Sequence, residues 1–74
     1  MPSEYTILET MKDYYEAAIN KHALVIEIML KNPMAFHDHD AFYEAVESQL
    51  DQLIKSKDYI DGLDIVKKIM EDSE

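Results

Sequence analysis

The sequence contains no cysteine and no arginine, and it has one glycine and two prolines among its 74 residues. Without cysteine the chain forms neither disulfides nor thiolate metal sites. Arginine is the side chain that proteins favour for reading phosphates and guanine edges, so its absence argues against direct nucleic-acid binding. A single glycine also excludes a glycine-rich phosphate loop. Helix packing and association between chains are then the remaining means of stabilising so short a sequence.

The charge that the chain does carry is mostly negative, with 16 acidic residues, 7 lysines and a formal net charge of −9. This surplus repels nucleic acid and favours a basic partner. The first five residues lack the positive and apolar segments of a signal peptide. The apolar run over residues 23–30 is interrupted by Glu27 and is far shorter than the ~20 residues of a membrane span. We therefore expect a soluble, cytoplasmic protein without a membrane segment.

Residues 4–31 are predicted to form a long first helix. Ser3 or Thr6 can cap its start, and no glycine or proline interrupts the segment. Most of its apolar residues share one side of the helix at 3.6 residues per turn. Leu24 and Ile28, one turn apart, point away from that side. The apolar surface therefore widens toward the end of the helix.

Two shorter helices are predicted in the rest of the chain, over residues 39–55 and 58–71. Asp38 or Asp40 can cap the first of them. If both segments formed one straight helix, the apolar residues would change direction by about half a turn near Ser56. One straight helix cannot bury both halves against the same partner, so a break between the two segments is expected.

The predicted fold class is all-α, with residues 1–74 forming one domain in which two shorter helices pack back on a long one. Met34 and Phe36 in the connection are expected to pack on the core. A single layer of three helices leaves the side of Leu24 and Ile28 uncovered. We therefore expect a homodimer, with these two as its self-association residues.

Acidic residues form a row on the second predicted helix: Asp40, Glu44, Glu47 and Asp51 lie on one side of it. Like charges one turn apart destabilise a helix, so folding alone does not favour this pattern. One interpretation is a binding strip for a lysine- or arginine-rich partner. Another is an acidic inhibitor that mimics nucleic acid on a DNA- or RNA-binding target. The third is an ordinary solvated face, with Asp40 as a helix cap.

The three histidines invite a different hypothesis. His22 is expected in the core or at an interface, bound to a tyrosine hydroxyl or a backbone carbonyl, with a pH-sensitive role as the alternative. His37 and His39 alternate with Asp38 and Asp40, and imidazole and carboxylate suit zinc, nickel or iron. Adjacent side chains diverge, so we predict no metal site and no cofactor. A metal- or small-ligand-binding protein using His22, His37 and His39 is kept as an alternative.

No serine stands in a context typical of a nucleophile, so we predict that the protein is not an enzyme. The leading hypothesis is a non-enzymatic acidic interaction protein. It would be a homodimer that docks to a macromolecular partner through an acidic helix face. A basic protein is the expected partner, and neither nucleic acid nor a membrane is expected to bind directly.

Overall fold

The computed structural model describes residues 3–36 and 38–73, and in these ranges the chain is a helical hairpin. Helix α1 spans Glu4–Lys31, a short 3₁₀ helix spans Pro33–Ala35, and helix α2 spans His39–Asp72. No strand occurs in the described ranges, which confirms the all-α class. Neither α1 nor α2 has the combination of length and apolar character that crossing a membrane requires.

Helix α1 begins and ends where the sequence predicts. The Ser3 hydroxyl accepts a hydrogen bond from the backbone N–H of Thr6 at 3.1 Å, which makes Ser3 the N-cap. At the other end the side chain of Asn32 donates to the carbonyl of Ile28 at 2.8 Å. Pro33 follows, and proline disfavours helical geometry in the residue before it. Local signals therefore determine both ends of α1.

Helix α2 is a single helix of 34 residues, so the prediction of two helices over 39–55 and 58–71 is wrong. Its start agrees with the prediction, because the Asp38 carboxylate accepts a hydrogen bond from the N–H of Ala41 at 2.7 Å. The helix passes through Ser56, which is one of the two buried residues in the described ranges. The predicted three-helix layer is therefore a two-helix hairpin.

Polar residues in the contact with α1 explain why the break is absent. The least exposed residues of α2 recur at alternating spacings of four and three along the whole helix, which is the heptad pattern of a coiled coil. We call these contact positions the seam. On α2 they are Phe42, Val46, Gln49, Leu53, Ser56, Ile60, Leu63, Lys67 and Met70. Gln49, Ser56 and Lys67 belong to the seam although they are polar. A pattern of apolar residues alone leaves them out, and the side of α2 that is predicted to face α1 then changes direction near Ser56.

Helix α1 supplies a matching seam with the same alternating spacing. Its seam residues are Tyr5, Leu8, Lys12, Tyr15, Ile19, His22, Ile26 and Met29. The rings of Tyr15 and Tyr59 lie 5.0 Å apart between centroids, and His22 contacts Gln49 nearer to the connection. Later residues of α1 thus meet earlier residues of α2, which confirms that the helices are antiparallel.

The two sides of the hairpin differ in charge. In an antiparallel helix pair, positions that precede seam residues lie on one side, and positions that follow them lie on the other. Glu4 precedes the first seam residue, Tyr5. The later preceding positions, here called the apolar face, are Ile7, Met11, Tyr14, Ala18, Lys21, Val25 and Ile28 of α1, with Ala41, Ala45, Ser48, Gln52, Lys55, Tyr59, Gly62, Val66 and Ile69 of α2. The following positions, here called the acidic face, are Thr6, Glu9, Asp13, Glu16, Asn20, Ala23, Glu27 and Leu30 of α1, with Tyr43, Glu47, Leu50, Ile54, Lys57, Asp61, Asp64, Lys68 and Glu71 of α2. Asp40 lies one turn before Tyr43 on the same side of α2 and is counted with this face.

The hairpin encloses very little. No apolar side chain is fully buried in the described ranges, and the two buried residues, His22 and Ser56, are polar. The molecule measures 56 × 19 × 15 Å, so one line of contact is all that shields apolar side chains. In the connection the ring of Phe36 packs on that of Phe42, as expected for Phe36. Met34 is 94% exposed, so the prediction that it packs on a core is wrong.

Substitution of Lys57 by proline tests the continuity of α2. If Ser56 capped a new helix, residue 57 would be the first helical position, where proline fits. Inside a continuous helix, proline removes a backbone hydrogen bond and clashes with the preceding turn. We therefore expect Lys57→Pro to lower the free energy of unfolding by about 3 kcal/mol or more.

The measurement is thermal and urea unfolding followed by circular dichroism. Lys57→Ala is the matched control, because it also removes the ion pair between Lys57 and Asp61 while keeping the helix intact. If Lys57→Pro were as stable as Lys57→Ala, the continuous helix would be contradicted.

Candidate functional site

The four carboxylates singled out in the sequence are exposed along the first half of α2. Asp40 and Glu47 belong to the acidic face, and Glu44 and Asp51 lie beside them on the outer side of the helix. At 1.5 Å per residue the row is ~17 Å long. Asp38 caps the helix, so Asp40 does not have the capping role considered for it. We call this row the acidic stripe.

The ion pairs of the hairpin involve other acidic residues. In the described part of the chain the pairs are Lys12–Asp64, Lys67–Glu9, Lys31–Glu27 and Lys57–Asp61, with N–O distances of 2.9–3.5 Å. The first two join α1 to α2 from seam lysines that reach toward the acidic face. The acidic stripe therefore keeps four uncompensated negative charges, to which a cation from another molecule has access.

Large apolar side chains lie next to the acidic stripe. Tyr43, Leu50 and Ile54 belong to the acidic face and are all exposed, with Tyr43 at 64%. Apolar residues at spacings of three and four predict one shared face for these three residues with Phe42 and Val46. That prediction is wrong, because only Phe42 and Val46 belong to the seam and face α1. An exposed aromatic and two aliphatic residues thus border the carboxylates.

His22 forms the central polar contact of the seam. Its Nδ1 lies 2.7 Å from Oε1 of Gln49, so the ring N–H donates to the amide oxygen. The sequence predicts a tyrosine hydroxyl or a backbone carbonyl as the partner, and that prediction is wrong. Gln49 was missed because no local signal links it to a residue 27 positions away. His22 itself lies at the helix interface, as expected.

A shallow depression lies above this contact on the apolar face. Tyr14, Ala18 and Tyr59 stand around it, and His22 and Ser56 form part of its floor. Its volume is about 310 Å³, and it opens widely to solvent. A second open depression of about 420 Å³ lies at the connection, lined by Pro33, Met34, Phe36, Asp38, His39, Phe42 and Tyr43. The depression at the connection has mostly apolar and aromatic walls, whereas the one above His22 is lined by polar and apolar surface in similar amounts.

The histidines proposed as ligands are not brought together where the structure describes them. His22 lies in the seam opposite Gln49, whereas His39 is the first residue of α2. His39 and Gln49 are ten positions apart on α2, which is roughly 15 Å along the helix. His37 lies outside the described residues. Within those residues, no group of three potential metal ligands is found.

The two residues predicted for self-association are exposed neighbours, one turn apart on α1. Ile28 belongs to the apolar face, near Val25, and is 53% exposed. Leu24 is on the outer side of the helix, opposite the seam, and is 56% exposed. A flat partner surface that covers Ile28 together with the rest of the apolar face would leave Leu24 at its edge.

The polar seam contact makes a testable contribution to stability. Gln49→Leu leaves the ring N–H of His22 without its acceptor at a buried position. We expect this substitution to lower the free energy of unfolding by about 1 kcal/mol. The double variant His22→Leu/Gln49→Leu should recover that loss, because apolar side chains then fill both positions.

Urea unfolding of the wild type, both single variants and the double variant gives the coupling energy between His22 and Gln49. Strictly additive losses would mean that the two side chains do not stabilise each other.

Comparisons with protein-family models, curated proteins and solved structures give no match to this chain. No function is therefore transferred to it from another protein. What the chain itself provides is a hairpin with one apolar face, one acidic face and a stripe of exposed carboxylates. Its function is inferred from the chemistry of these surfaces.

Proposed function

We propose that this chain is a non-enzymatic interaction protein that self-associates and docks to a basic macromolecular partner through the acidic stripe. The observation that supports this function is the sorting of charge between the two sides of the hairpin. Apolar and acidic residues are separated although no interior of the hairpin requires it, since no apolar side chain is fully buried in the described ranges. Separate apolar and acidic sides allow the hairpin to bind one molecule through apolar contacts and another through its negative charge.

The acidic stripe has an energetic cost that the hairpin does not offset. Asp40 and Glu44 are one turn apart, as are Glu47 and Asp51, and like charges at that spacing destabilise a helix by a few tenths of a kcal/mol per pair. No lysine forms an ion pair with any of them in the described ranges. A partner that brings lysine or arginine side chains to the stripe removes this repulsion and adds charge-assisted hydrogen bonds.

The apolar residues beside the stripe define the partner further. Tyr43 is large and rigid, and aromatic residues are enriched among the side chains that contribute most to binding. Leu50 and Ile54 extend the apolar contact along the same helix. The best-fitting partner surface therefore combines basic residues with apolar ones. The carboxylates steer and orient that partner, and burial of Tyr43 supplies affinity.

Charge reversal within the stripe tests the proposal. We expect Glu44→Lys/Glu47→Lys to abolish capture of a partner from an extract of the native cells. Binding by the wild type should weaken steeply as ionic strength rises, because exposed charges are screened by salt. The captured proteins are identified by mass spectrometry at low and high salt.

Asp58→Lys/Asp72→Lys is the matched control, since it changes the net charge equally at exposed α2 positions outside the stripe. It should keep the partner. Loss of binding in both double variants would indicate a general charge effect and refute a specific stripe. If the retained partner binds nucleic acid and duplex DNA displaces it, the stripe acts as a nucleic-acid mimic.

A further inference from the structure

The hairpin exposes more surface than a compact protein of its size. Its accessible area is 5845 Å² for a mass of 8.6 kDa. The scaling of surface with mass gives roughly 4,700 Å² for a compact monomer of 8.6 kDa. The surplus of roughly 1,100 Å² is somewhat more than each partner buries in a standard protein interface, which is about 800 Å². Covering one face of the hairpin would therefore bring its accessible area close to that expected for a compact monomer of the same mass.

The apolar face is the side on which two copies of this chain can meet. Between Ile7 and Ile28 on α1, and between Ala41 and Ile69 on α2, it contains no carboxylate. The acidic face and the outer side carry most of the acids of a chain whose net charge is −9, so two copies repel each other there. A basic partner is attracted to the acidic side for the same reason. The apolar face lacks that attraction and repels a second copy least.

The lysines of the apolar face lie where an interface tolerates them. Lys21 and Lys55 occupy the outer row of the face rather than the row next to the seam. From this row a lysine can cover neighbouring apolar atoms with its stem and keep its ammonium group in water. The row next to the seam contains Met11, Ala18 and Val25 from α1. The row next to the seam is therefore uncharged between Met11 and Val25, and the two lysines of the face lie away from its centre, where protein interfaces generally place charged residues.

We propose that two copies of this chain pair through the apolar face to form a four-helix bundle, with their connections at opposite ends. This inference rests on the self-association in the proposed function and assigns it a surface. The occupant of the apolar face is a second copy of the same chain. The acidic faces of both copies then point outward, so that the dimer presents two acidic stripes.

The distribution of side-chain sizes fixes the relative direction of the two copies. Large residues crowd the open end of the face, among them Met11, Tyr14 and Val66, whereas α2 contributes Ala41 and Ala45 near the connection. With connections at opposite ends, α2 lies antiparallel to α2 of the other copy, so that Val66 at the open end of each copy lies near Ala45 of the other. Successive layers of the bundle then have similar volumes, which close packing requires.

Matched charge substitutions on the two sides of the hairpin test the interface. Tyr14 and Ile69 on the apolar face are 70% and 61% exposed in the single hairpin. Tyr43 and Ile65 are outside that face and are similarly exposed, at 64% and 60%. In an isolated hairpin, changing any of the four to glutamate would have a similarly small effect. In the proposed dimer, only Tyr14→Glu and Ile69→Glu place a carboxylate in the interface.

Light scattering and sedimentation equilibrium measure the mass in solution without any partner present. We expect the wild type, Tyr43→Glu and Ile65→Glu to have twice the monomer mass of 8.6 kDa. Tyr14→Glu and Ile69→Glu should have half the mass of the wild type at the same concentration. The melting temperature of the wild type should rise with protein concentration, as for any folded oligomer that dissociates on unfolding. A wild type of monomer mass at all concentrations overturns the proposal, as does equal loss of mass in all four variants.

A cross-linking measurement covers the case in which the glutamate variants do not fold. Ala18 lies midway between Ile7 and Ile28, so the two Ala18 side chains should meet at the two-fold axis of the dimer. The chain has no native cysteine, so a single introduced thiol reports only on its own position. With oxidised glutathione, Ala18→Cys should form a covalent dimer many-fold faster than Ala23→Cys on the acidic face. Equal rates, or faster reaction of Ala23→Cys, would overturn the arrangement.

These measurements are independent of the acidic stripe. Glu44→Lys/Glu47→Lys should keep the dimer mass while losing the basic partner, because both residues are remote from the apolar face. Conversely, a dimeric wild type without any basic partner would contradict the docking function and leave the interface supported.

Discussion

One line of contact between two helices holds this molecule together, and that line is partly polar. The seam runs along the full length of α1 and α2 with heptad spacing, and it includes His22, Gln49, Ser56 and Lys67 among apolar residues. Polar residues in the seam reduce the apolar area that it buries, but they also specify the alignment of the two helices. The contact of His22 with Gln49 forms at only one such alignment. Because this single line of contact is partly polar, the hairpin has no fully buried apolar side chain in the described ranges. The uncovered sides of the two helices therefore make up most of the molecule's surface.

The heptad pattern also explains how one short chain presents two unlike surfaces. Positions before the seam are mostly apolar or small and carry no carboxylate after Glu4, whereas positions after the seam are rich in carboxylates. Since the helices are antiparallel, like positions of both helices come to the same side, so the sorting on each helix adds to that on the other. Two seam lysines, Lys12 and Lys67, turn toward the acidic side and pair with Asp64 and Glu9. The result is a hairpin with an apolar face, for which we propose a second copy, and an acidic face, for which we propose a basic partner.

These two proposed uses support each other physically. A hairpin with a single seam is marginally stable for its size, because small domains bury too little surface to offset the loss of chain entropy. Pairing through the apolar face would supply the missing burial and fix the two acidic stripes in one rigid body. A partner with two basic segments would then gain from simultaneous engagement of both stripes, without any new contact. The proposed dimer thus serves stability and function together.

Local signals in the sequence determined the helical class, the bounds of α1 and the start of α2. Ser3, Asp38 and the Asn32–Pro33 pair act on neighbouring backbone groups, so their effects can be read without knowing the fold. Exposure of the acidic stripe also followed from helical periodicity. The tertiary structure alone decided that α2 continues through Ser56, that Gln49 is the partner of His22, and that Leu50 and Ile54 are exposed. Each of these three features depends on which residues face the other helix, and some of those residues are polar. A pattern built from apolar residues alone cannot reveal such a seam, because only pairing between the helices shows which polar positions belong to it.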